Sequence, residues 1–176
     1  GVQWLRDKIK FISKASDTEN IAKSLSSNSG IYLVPAFTGL GAPYWDASAR
    51  GLLSGLTRDT GPKEIIRATI ESVAYQTYDL FEAMKNDGLK PKLIKVDGGM
   101  VLNNWFSQFL SDTINAKVLR PKVNETTALG AAFMAGLQIG VYKSLKDIAK
   151  NWQADKSFIP KIKNAERKIL INGWNK

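Results

Sequence analysis

The chain contains no cysteine and no histidine. That excludes a disulfide framework, Cys- or His-based nucleophile–base pairs, and thiolate or imidazole metal sites. No apolar run approaches the roughly 20 residues needed to cross a bilayer. With 14 glycines and 6 prolines the composition is not that of a disordered or low-complexity chain. The first residues, Gly-Val-Gln-Trp-Leu-Arg, have neither an initiator Met nor the charged and apolar regions of a secretory leader. The expectation is a trimmed or cut-out piece of a cytoplasmic protein. Its 176 residues suit one domain or most of one. Chemistry must come from carboxylates, hydroxyls, amides, cations and backbone groups.

Acidic residues are the minority: 16 Asp and Glu stand against 25 Lys and Arg, a formal charge of +9. The excess gathers after Val141, at Lys143, Lys146, Lys150, Lys156, Lys161, Lys163 and Lys168. Such a tail can bind nucleic acid through phosphates. No aromatic residues alternate with the lysines, so a solvated surface is the expected role and no nucleic-acid partner is expected.

Apolar spacing predicts a helix over residues 3–12 and another opened by Ser16-Asp17-Thr18-Glu19, which has the form of a capping box. Residues 31–37 (IYLVPAF) and 52–56 read as strands. The irregular loop between them carries Tyr44 and Trp45, and its TGLG segment lacks the Gly-Lys-Ser/Thr of a phosphate loop. A long helix over 61–84 has Thr60 as its expected N-cap and Pro62 in its first turn. On it Asp79 and Glu82 read as solvated charges on the polar face, and no residue pattern marks a general base. Strands are expected at 92–96 and 117–119, and helices at 103–114 and 126–139, with Ser144 capping a further short one. The 126–139 helix is lined with Ala and Gly and is expected to pack closely against a neighbour. Asn124-Glu125-Thr126 has the form of a glycosylation sequon.

This order predicts an α/β layered domain, with a locally parallel sheet and right-handed crossovers over 92–140. Ligands of such sheets bind at the carboxyl ends of strands. There the sequence places Asp97-Gly98-Gly99-Met100-Val101-Leu102-Asn103-Asn104. Two glycines let a ligand reach the backbone, the following helix start supplies free amides, and Asn103 can cap that helix or bond a base or ribose. A simple strand-to-helix turn would use the same residues.

GLLSGLTRDTGPKEIIRATIE, residues 51–71, resembles the second signature of the FGGY carbohydrate kinases, with Gly51, Gly55, Leu56, Glu64, Ile65, Ala68 and Glu71 in its positions. VPAFTGLGAPYWDASARG (34–51), VDGGMVLNNWFSQFLSD (96–112) and ETTALGAAFMAGL (125–137) are similar to segments of the glycerol kinase branch. The resemblance implies the ribonuclease-H-like, actin-like ATPase fold, here a C-terminal nucleotide-binding domain with its core over 1–140 and a basic helical tail over 141–176. Its first strands are expected to lie upstream of Gly1. The resemblance implies ATP and Mg²⁺ as cofactors, with Gln3, Gly98, Gly99 and Asn103 on the nucleotide side. It also implies glycerol as the phosphate acceptor, bound by a domain upstream together with the catalytic base, so this chain alone is expected to be inactive. A kinase of another polyol or ketose, or a non-catalytic basic interaction module, remains the alternative. An exposed sheet edge is expected to promote homo-oligomers.

Overall fold

The computed structural model describes residues 1–123 and 125–176; the first residue of the sequon, Asn124, lies outside them. Its frame is α3, Pro62–Asn86, a 25-residue helix. The helix opens at Gly61, not Thr60: Glu64 Oε2 accepts the Gly61 amide at 2.9 Å, while Thr60 Oγ1 accepts from the Thr57 amide. Ile66, Ala68, Ile70, Ala74 and Tyr75 form its buried stripe.

Four elements pack on α3. Helix α1, Val2–Asp7, is shorter than its apolar spacing suggests and buries Leu5 with Ile12 and Ile66. Helix α2 is Asp17–Ser24. Strands β1, Tyr32–Val34, and β2, Leu52–Ser54, pair antiparallel and seal Ile31 and Leu33 against Ala68. After β2, Gly55 crosses the Gly30 carbonyl so closely that a Cβ would lie 2.0 Å from that oxygen, and its φ is +84°. Only glycine fits there, which gives the signature glycine at this position a backbone reason. The fourth element is α4, Asn104–Ile114.

Helix α4 lies between α3 and a second sheet of three strands. Strands β3, Leu93–Lys95, and β4, Lys117–Pro121, run parallel as expected. Strand β5, Ala154–Phe158, pairs antiparallel with β4. The tail is therefore not only helical: it supplies this strand, α6 (Leu145–Lys150, capped by Ser144) and α7 (Asn164–Trp174). Phe106, Phe109, Leu110, Val118, Phe158 and Ile171 make the main core with Tyr75, and Trp174 stacks on Tyr75 at 5.2 Å between ring centroids. Helix α5, Thr126–Gln138, departs from expectation. Among the described residues its small side meets a close neighbour at Gly136, against Tyr142, and no helix or strand along the rest; of the helix only Gly136 is buried, and Met134 is 51% exposed.

Candidate functional site

At the carboxyl end of β3 the chain turns through Gly98, with φ +86°, into a 3-10 turn over Gly99–Leu102 and then into α4. Gly98 and Gly99 are exposed, and a Cβ built on either would meet no atom within 4 Å. The corner is open among the described residues, with no packed side chain over it. Among the described residues the amides of Gly98, Gly99 and Met100 donate to no other group. Those amides are what the corner offers a ligand.

Asn103 is half-buried and used structurally. Its Oδ1 accepts the Phe106 amide at 2.9 Å, capping α4, and its Nδ2 donates to Thr18 Oγ1 at 3.2 Å. One amide proton remains for a ligand. The expected free start of α4 is also taken. Glu19 on α2 accepts the Asn104 amide at 3.3 Å and lies near Asn104 Nδ2 at 3.5 Å. Partial burial pushes the Glu19 carboxyl up, but Lys23 and the Asn104 amides outweigh it, and its pKa falls below the usual carboxylate value. A carboxylate already sits where a phosphate would bind the helix dipole. The corner therefore suits an uncharged, hydrogen-bonding ligand edge better than a phosphate.

The sequence motif on α2 reads differently in the fold. Ser16 makes no side-chain cap, and Glu19, paired with Lys23 on its own helix, caps α4 and not α2. Asp17 Oδ2 accepts the Lys14 amide instead, at 2.9 Å. Three predicted site residues, Gly98, Gly99 and Asn103, share the corner. Gln3 is exposed on α1, and no hydrogen bond joins it to the corner among the described residues.

Further residues hold the corner: Thr126 and Arg120, to which sequence reasoning gave no binding role, and Asn104, the last residue of the predicted segment. Thr126, at the start of α5, donates to the Asp97 carboxylate. Arg120, on β4, is 8% exposed and donates to the carbonyls of Val101 and Leu102 at 3.0 and 3.2 Å. Asn104, the neighbour of a predicted residue, is the point where α2, β4 and β5 converge. An arginine at the end of a strand carries no motif, so only the fold reveals it.

Among the described residues no three Asp or Glu side chains gather as a metal-ligating set. Asp79 and Glu82 do not act together. Glu82 is paired with Lys85 at 3.2 Å. Asp79, expected to be solvated, is 8% exposed and accepts from Trp174 Nε1 at 3.0 and 3.1 Å. Burial raises its pKa, against the opposing hydrogen bonds of Trp174 and Tyr44.

Comparison with known proteins places this geometry. Residues 1–139 match the FGGY family of carbohydrate kinases, C-terminal domain. The chain is 56% identical over 174 residues to a glycerol kinase of Ectopseudomonas mendocina, covering 98% of this chain and 35% of that protein. It is 51% identical over 176 residues to a glycerol kinase of Gluconobacter oxydans, covering 99% of this chain and 34% of that one. Among solved structures, Plasmodium falciparum glycerol kinase with ADP superposes with a TM-score of 0.87 at 36% identity, over 99% of this chain and 35% of that chain. Gluconate kinase from Lactobacillus acidophilus gives 0.78 at 27% identity, over 97% of this chain and 35% of that one. The chain thus spans about a third of the length of the relatives it matches.

Proposed function

The chain belongs to the FGGY family of carbohydrate kinases, as its C-terminal domain with the actin-like, ribonuclease-H-like ATPase fold, and from that premise we propose that it is the nucleotide-binding wall of a glycerol kinase. The whole enzyme would transfer the γ-phosphate of ATP to glycerol, giving sn-glycerol 3-phosphate in the cytoplasm. The open Gly98–Gly99 corner carries this reading. Similarity to an ADP-bound glycerol kinase supports it.

In this role Gly98 and Gly99 let the base end of an adenine nucleotide approach bare backbone. The amides of Gly98–Met100 and the remaining Asn103 amide proton supply donors to its polar edge. Gln3 is assigned to the same side of the cleft by resemblance alone. Bound ATP supplies the phosphoryl group, and Mg²⁺ neutralises its phosphates. In this reading the ATP phosphates and the rest of the enzyme would hold the metal. Orienting the acceptor hydroxyl and taking its proton also fall to the rest of the enzyme, and this chain alone is proposed to be inactive.

The experiment is an ADP titration of the ¹⁵N-labelled chain. Amide shifts at 97–104 are expected, and Gly99→Val should abolish them. Because a Cβ at Gly99 meets nothing within 4 Å, that variant should fold normally, and its loss would report a blocked ligand. No shift near the corner at millimolar ADP would refute the assignment for this chain.

A second reading, a basic module for polyanions, draws on the +9 charge. It predicts binding that falls steeply with salt and ignores Gly99→Val.

A further inference from the structure

The nucleotide corner is held from a direction that the family match does not reach. That match ends at residue 139, whereas β5, from Ala154 to Phe158, lies beyond it. The strand joins the sheet beside β4, with Arg120 opposite Lys156, and the register shifts between Arg120 and Pro121. Like charges directly opposite on paired strands repel. Here both cations are drawn to one acceptor, Asn104 Oδ1, at 3.3 Å from Arg120 Nη1 and 3.1 Å from Lys156 Nζ. Asp155 offsets the arginine's charge: its Oδ2 lies 2.8 Å from Arg120 Nε and 2.6 Å from Nη2.

The remaining reach of Arg120 is into the corner itself. Nη1 takes the carbonyls of Val101 and Leu102, the last two residues of the 3-10 turn. Those carbonyls lie where the turn gives way to α4, so fixing them fixes the path of Gly98–Met100. A planar fork suits this task, because one side chain must face a carboxylate and two carbonyls at once. Lysine could satisfy the charge but not the geometry.

We propose that Arg120 is the positioning residue of the nucleotide corner, locked in place by Asp155, and that β5 is thereby a working part of the nucleotide site. The basic tail then does more than present a solvated surface. Asp155 orients the guanidinium, Arg120 holds the turn, and Lys156 with Arg120 orients the Asn104 side chain that also meets Glu19. This rests on the nucleotide reading above for its consequence, though not for its geometry.

Four variants of the full chain test it: Arg120→Met, Arg120→Lys, Asp155→Asn and, as a control, Val118→Ala. Val118 lies on the same strand and is fully buried in the core. Its truncation should lower the melting temperature without touching the corner. Arg120→Met should weaken ADP binding about tenfold or more, the scale of a lost charge-assisted hydrogen bond. Arg120→Lys should recover part of the loss, and Asp155→Asn should fall between Arg120→Met and the parent. Hydrogen exchange at Val101 and Asn103, whose amides bond to the Gly98 and Met100 carbonyls, should accelerate in the same order, in the absence of nucleotide. The proposal fails if Arg120→Met and Asp155→Asn keep parental ADP affinity and exchange. It fails equally if Val118→Ala loses as much affinity at the same drop in melting temperature.

Should Arg120→Met not fold, Asp155→Asn decides alone, since that carboxylate is 46% exposed and its loss is mild. If the parent chain binds no ADP, the nucleotide reading falls. The exchange measurement still decides whether Arg120 holds the corner.

Discussion

Asp79 occupies a helix position that spacing assigns to solvent, yet α7 folds over it and Trp174 donates to both its oxygens. Burial raises its pKa, so the folded chain keeps this proton to a higher pH than the unfolded chain does. The group's contribution to stability is then greatest below the ordinary carboxylate pKa and declines as pH rises through the raised one. Asp79→Asn retains an acceptor for Trp174 and cannot ionise. Its melting temperature should gain on that of the parent chain between about pH 3 and about pH 7. A difference that stays constant over that range would show that Asp79 does not titrate differently in the fold. Glu71, also raised by burial against the opposing Arg67, is present in both proteins and cancels. A local pattern cannot reveal such a site, because the element that buries Asp79 lies 95 positions away.

A buried ion pair within α3 also ties that helix to α2 through the arginine's remaining donors. Arg67 Nε lies 2.7 Å from Glu71 Oε1, and its Nη1 reaches the carbonyls of Ala22 and Leu25 at the end of α2. The guanidinium also lies over Trp105 of α4, 5.0 Å from the ring centroid. Because α2 presents Thr18 and Glu19 to Asn103 and Asn104, this pair sets the height of one side of the corner. Glu71 is fully buried, so Arg67→Met would strand a carboxylate and cost about 3–5 kcal/mol in urea unfolding. Adding Glu71→Leu should return much of that loss. A single variant with unchanged stability would contradict the account. The motif residues Ala68 and Glu71 thus fill packing roles. The sequence located α3 and α4 to within a few residues because their apolar spacing is long and regular, and the short α2 through the capping-box pattern at its start. It missed β5 because only Phe158 of its five residues is buried, leaving no alternation to read.

Across the whole molecule, apolar surface is unevenly distributed. Helix α5 is largely exposed, Ile139 and Val141 after it are 77% and 66% exposed, and Leu93 on β3 is 44% exposed. Among the described residues strand β3 pairs only with β4. An unpaired strand edge beside apolar surface promotes association between chains. The chain as given should self-associate at high concentration in sedimentation velocity, and Leu93→Lys with Ile139→Lys should shift it toward monomer. A sharp monomer boundary at every concentration would contradict this. Close packing of α5 was the expectation from its Ala and Gly residues. Those residues permit close approach without supplying a partner, and apart from Tyr142 at Gly136 no packed partner lies along α5 among the described residues.

The sequence by itself determined the helices with regular apolar stripes and the turn at Gly98-Gly99, set by interactions between near neighbours, and it predicted the parallel β3–β4 pair from the strand-helix-strand order of the segment. It also carried the family signature. Tertiary structure alone decided that Glu19 caps a different helix, that Asp79 is buried, that Arg120 grips the turn, and that the tail adds a strand to the sheet. Each of these joins residues far apart along the chain, and a pairing across the fold leaves no period in the sequence to read.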